Sequence, residues 1–76
     1  MAQIYIEYEF KIVPVKAGSE ILIAELGEAG FESFVETETG IFAYIQKADW
    51  DASILKDLHI INSEEFEISH VLKEIS

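Results

Sequence analysis

The side chains that could do chemistry in this 76-residue chain are two histidines, fifteen acidic residues and six serines; there is no cysteine. A histidine that holds a metal or moves a proton needs a second ligand or an acid partner at a defined spacing. Neither His59 nor His70 has a carboxylate at a convincing metal-ligand spacing. His59 falls where a helix is expected to end, and there an imidazole complements the C-terminal dipole. His70 falls in an expected strand, as an ordinary sheet residue. Ser19, Ser33, Ser53, Ser63, Ser69 and Ser76 all lack the nucleophile-elbow context. Gly18, Gly27, Gly30 and Gly40 never form the G-x-G turn that carries backbone amides to a dinucleotide or a methyl donor. Carboxylate pairs carry little weight in so acidic a chain. No catalytic, metal or cofactor residue is therefore assigned.

Charge says more about partners. Fifteen acidic residues against five basic ones give a formal net charge of −10. Such a chain repels nucleic-acid phosphates and anionic lipid, and its natural complement is a basic macromolecule. Solubility alone is the simpler account of the same charge. Half of the residues are hydrophobic, which argues for a folded domain. No apolar run approaches the ~20 residues of a membrane span, and MAQIYIEYEF lacks the basic and apolar regions of a signal peptide. Absent cysteine fits a reducing, cytoplasmic setting. The length allows one small domain, which buries only about 60% of its unfolded surface and gains from tight packing or a partner.

Residues 19–38 organise the elements that must position these side chains. Leu22, Ile23, Leu26 and Ala29 make a helical stripe. Ser19 stands at the N-cap, Val15–Gly18 form the loop before it, and Gly30 provides a left-handed stop. Before this unit, Ile4, Ile6, Tyr8, Phe10 and Ile12 alternate with Tyr5, Glu7, Glu9, Lys11 and Val13, which predicts a long strand with one buried face. After it, residues 31–37 predict a strand with Phe31, Ser33 and Val35 inward and Glu32, Phe34 and Glu36 outward. Glu38-Thr39-Gly40 makes a hairpin connection into a strand over 41–46. Asp49 caps an expected second helix with Trp50, Ile54, Leu55 and Leu58 along its stripe. The last strand runs from Phe66 to about Leu72, with Phe66, Ile68, His70 and Leu72 on one face.

This order predicts an α+β fold, a ferredoxin-like βαββαβ sandwich with a four-stranded antiparallel sheet and two helices on one face. The other face stays open and carries Tyr5, Glu7, Glu9, Phe34, Glu36, Phe42 and Tyr44. Aromatics among carboxylates suit docking of a basic, partly apolar partner. Cross-strand pairing that only stabilises the sheet, or a second copy covering the face, accounts for the same pattern. RNA-binding domains of this topology also use aromatics here. Glu7, Glu9 and Glu36, with no arginine in the chain, argue against that use. A small-molecule regulatory domain of similar topology would need a pocket built on the Val15–Gly18 loop.

The stretch SEILIAELGEAGFESFVETETGIFAYI, with YIEYEFKIVP before it and DWDASILKDL after it, resembles the N-terminal region of the bacterial methyltransferase of large-subunit ribosomal protein 11 (the PrmA type), in versions from Bacteroidetes-like bacteria. The resemblance spans nearly the whole chain. Its motifs record core packing and turns rather than chemistry. It implies a substrate-recognition domain, residues 1–76, that holds a basic ribosomal protein while a C-terminal domain transfers methyl groups from S-adenosylmethionine. Against that family the chain stops at Ser76, before the linker helix, the glycine-rich cofactor loop and the Asn-Pro-type motif. The resemblance thus implies a piece of a longer enzyme, inactive alone, with no catalytic or cofactor residue to carry over.

Overall fold

A computed structural model describes residues 3–75; Ser76, one of the serines considered above, lies outside them. The alternating N-terminal stretch becomes β1 (Tyr5–Val13), followed by α1 (Val15–Ala29), β2 (Ser33–Glu36), β3 (Gly40–Gln46), a single 3-10 turn at Lys47–Asp49, and β4 (Glu67–Ile75). The sheet order is β2-β3-β1-β4, and every neighbouring pair is antiparallel. β1 and β2 therefore run parallel with β3 inserted between them, a split βαβ unit whose crossover is α1. β3 and β4 are related in the same way across β1.

The second crossover is not a helix. The two-helix expectation fails at residues 50–66, which form a succession of tight turns. Backbone N–H groups of Trp50, Ile54, Lys56, Leu58, Asn62 and Ser63 each reach back three residues, to Lys47, Asp51, Ser53, Leu55, His59 and Ile60. Local side-chain bonds compete with a helix here. The Asp51 carboxylate accepts from both the N–H and the hydroxyl of Ser53, and the Asn62 amide donates to the carbonyls of Lys56 and Leu58. A stripe of about nine residues is also too short to hold helical form without support. His59 consequently sits in a turn and not at a helix terminus.

Helix α1 begins earlier than its stripe suggested. Pro14 occupies the N-cap, and the supposed Val15–Gly18 loop is the first helical turn, with Gly18 N–H bonded to the Pro14 carbonyl at 3.0 Å. Ser19 is thus no cap; it lies buried inside the helix, and its hydroxyl has no partner among the described residues. The reason is close packing. A side chain at position 18 would overlap Ile12, and Phe66 lies beside it. At the other end Gly30 does take the left-handed conformation (φ 110°), and its N–H and that of Phe31 bond to the carbonyls of Gly27 and Leu26.

The register of β2 is the reverse of the expected one. Phe34 opposes Ala43 and Glu36 opposes Ile41, which places both on the helix side; Ser33 and Val35 oppose Tyr44 and Phe42 on the open side. Phe31, expected to open that strand, belongs to the helix cap and turns into the core, edge-on to Tyr8 at 5.6 Å. Alternation restarts at Ser33, and a one-residue slip sends every side chain to the opposite face.

The core lies between the sheet and the layer formed by α1 and the 50–66 connection. Ile6, Tyr8, Phe10, Ile12, Ile41, Ala43 and Ile45 meet Leu22 and Leu26 from the helix and Leu58 and Ile60 from the connection. Tyr8 and Phe10 stack at 5.5 Å, and His70 lies against both rings. Two polar clamps hold the irregular connection down. Trp50 Nε1 donates to the Tyr8 hydroxyl at 2.9 Å, and the Glu25 carboxylate of α1 accepts from the N–H groups of His59 and Ile60.

Candidate functional site

Strand alternation alone builds the uncovered face. Side chains directly opposed across antiparallel strands share a face, so four cross-strand rows can be followed. Ile75, Tyr5 and Gln46 form the first; Lys73, Glu7, Tyr44 and Ser33 the second; Val71, Glu9, Phe42 and Val35 the third; Ser69, Lys11 and Gly40 the fourth. Of the seven residues expected on this face, Tyr5, Glu7, Glu9, Phe42 and Tyr44 come together. Phe34 and Glu36 do not, because of the β2 register. Val35, Val71 and Lys73 are members that the sequence reading missed. The alternation of β4 itself could have found Val71 and Lys73, since Ile68, His70 and Leu72 do share the helix-side face.

In the second row Glu7 has two partners. Tyr44 donates its hydroxyl proton to Glu7 Oε2 at 2.7 Å, and Lys73 Nζ lies 3.5 Å from Glu7 Oε1. The hydrogen bond to Glu7, then partial burial, then the charge of Glu7 raise the Tyr44 pKa above its ordinary value of 10.0. Tyr5 is raised as well, by desolvation first and by the nearby Glu32 carboxylate next; its hydroxyl donates to Gln3 at 3.0 Å. Glu32 itself accepts from the Gln46 amide at 2.7 Å, at the edge of the face.

The third row differs. Among the described residues Glu9 makes no hydrogen bond or ion pair, and its cross-strand neighbours are Val71 and Phe42. A shallow groove of about 310 Å³ runs here, lined by Glu7, Glu9, Phe42, Val71, Leu72 and Lys73. It therefore offers an unengaged carboxylate flanked by an aromatic ring and an aliphatic side chain.

The acidity of the chain is concentrated elsewhere. Glu20, Glu25 and Glu28 lie on α1, and Asp49, Asp51, Asp57, Glu64 and Glu65 lie in the connection between β3 and β4. On the open face Glu7, Glu9 and Glu67 are nearly matched by Lys11 and Lys73. Among the described residues no group of three or more His, Asp or Glu side chains is placed to hold a metal ion. No helix there is long and apolar enough to cross a membrane.

These features define a small α+β domain with one covered and one uncovered sheet face. Its relatives are more particular. Over 72 residues, 92% of this chain, it is 42% identical to the ribosomal protein L11 methyltransferase of Bacteroides fragilis. Over 54 residues, 70% of the chain, it is 48% identical to that of Bacteroides thetaiotaomicron, and over 55 residues, 71% of the chain, it is 44% identical to that of Phocaeicola vulgatus. The chain is thus related to the N-terminal part of Bacteroidetes ribosomal protein L11 methyltransferases, in agreement with the resemblance in its sequence. It spans 19–26% of the length of these curated relatives. No family model matches it, and no solved structure does.

Proposed function

We propose that this chain is the substrate-docking part of a ribosomal protein L11 methyltransferase, working in the cytoplasm. A basic ribosomal protein rests on the open sheet face while a separate catalytic part, supplied with S-adenosylmethionine, transfers the methyl groups. The observation that carries this reading is the third row: Phe42, Val71 and Val35 present apolar surface beside the unengaged carboxylate of Glu9. A lysine-rich partner matches it, because a lysine stem covers apolar surface while its ammonium reaches a carboxylate. The net charge of −10 draws such a partner in from a distance. Glu7 is held by Tyr44 and Lys73, so it shapes the surface and offers little free charge.

Titration of purified ribosomal protein L11 with this chain tests the proposal. Phe42→Ala is expected to weaken binding by roughly tenfold, the scale of a central aromatic contact. Added salt is expected to slow association by screening the long-range attraction. Absence of binding at low salt, or binding untouched by Phe42→Ala in a chain of unchanged circular dichroism, would refute it.

A further inference from the structure

Strand β4 lies at the margin of the sheet. One side pairs with β1 over nine unbroken positions, and among the described residues no other strand pairs with its outer side. A bare strand margin presents N–H and C=O groups that can join another strand, and proline, bulges, short length or charged side chains discourage it; β4 carries the charges Glu67, Lys73 and Glu74, so only a register that pairs opposite charges suits it. Glu67–Ile75 has neither proline nor glycine, its register with β1 contains no bulge, and Val71 and Leu72 are 64% and 44% exposed.

We propose that β4 pairs antiparallel with β4 of a second copy of this chain, about a two-fold axis at His70. In one continuous sheet, opposed residues must come from the same face. The axis therefore lies between the two copies of one residue and not between two successive residues. Centred on His70, Glu67 of each copy opposes Lys73 of the other, Ile68 opposes Leu72, and Ser69 opposes Val71. Centred on Val71, both glutamates Glu67 and Glu74 oppose isoleucines. Centred on Leu72, Val71 opposes Lys73. Only the His70 register unites two opposite-charge pairs with two aliphatic pairs. The resulting eight-stranded sheet keeps both open faces on one side, so Phe42 and Tyr44 remain uncovered. Lys73 also lines the groove beside Glu9, so the dimer is tested by its own association, without the substrate present.

Sedimentation equilibrium of the 76-residue chain, at a salt concentration that screens its net charge, is expected to show a concentration-dependent monomer–dimer equilibrium. Lys73→Glu turns both opposite-charge pairs into like-charge pairs and is expected to weaken the dimer roughly 30-fold. The double variant Glu67→Lys/Lys73→Glu is expected to restore it, although the Lys73–Glu7 contact stays lost. That recovery separates the interface from any effect of Lys73 on folding. A chain that is monomeric at every concentration overturns the proposal. So does a dimer indifferent to Lys73→Glu, or a double variant no better than the single one.

Discussion

Replacing Glu25 by alanine tests whether the turn-rich connection truly serves as the second covering layer. The Glu25 carboxylate accepts from two backbone N–H groups of that connection, at His59 and Ile60. Hydrogen bonds to a charged group contribute about 1.5–3 kcal/mol each. The His59 position is exposed, so water replaces much of that bond; Ile60 is 2% exposed, and its N–H has less access to water. A loss of about 2–3 kcal/mol follows, against a total stability of roughly 4–11 kcal/mol for a chain of this size. The melting temperature should fall by roughly 8–20 °C. Glu25→Gln keeps one carbonyl acceptor and should lose about half as much. Urea unfolding followed by Trp50 fluorescence reports on the connection itself, because Trp50 is the one tryptophan of the chain. Far-UV circular dichroism reports on the sheet and helix. Amide exchange at Ile60 should accelerate by a matching factor. A loss below about 0.5 kcal/mol with unchanged Ile60 exchange would refute the reasoning, since a deletion of that size is typical of an ordinary surface substitution.

Other outcomes follow from single contacts. Gly40→Ala would drive a Cβ into the Phe10 carbonyl oxygen, which is backbone and cannot swing aside; thermal melts should show a loss above about 3 kcal/mol or no folded protein. Trp50→Phe strands the hydroxyl of Tyr8, a residue only 2% exposed, and should cost about 1–3 kcal/mol in denaturant titration. Because the Tyr44 pKa is raised in the folded state, its contribution is complete below the unfolded pKa of about 10 and is lost as pH rises through the folded value. Stability measured against pH should therefore drop more gently above that point in Tyr44→Phe than in the unaltered chain.

The centre of the sheet was legible in the sequence because the patterns of β1 and β3 are strong. Ile6, Tyr8, Phe10 and Ile12 alternate without a break, and Ile41, Ala43 and Ile45 do the same; all seven are buried. Two boundaries were not legible, for physical reasons. The start of α1 places Gly18 close against Ile12, a contact with no periodic trace. The β2 register depends on whether Phe31 belongs to the helix cap or to the strand, which the local pattern leaves undecided. Trp50, Ile54 and Leu58 carry helical spacing, yet the short-range bonds of Asp51 and Asn62 prevailed over it. On the uncovered face, the β1 and β3 residues lie where their long alternation predicts. Phe34 and Glu36 failed with the β2 register.

The uneven distribution of acidic residues makes the molecule an electric dipole, with its negative pole over the helix and connection and a nearly neutral pole at the bare sheet. For the docking proposed above, this means that the net charge attracts a cationic partner to the molecule as a whole and does not by itself point it at the open face. Final orientation is decided at close range, by how well the two surfaces shed water. Ionic strength would then govern how quickly a complex assembles far more than which way round it sits.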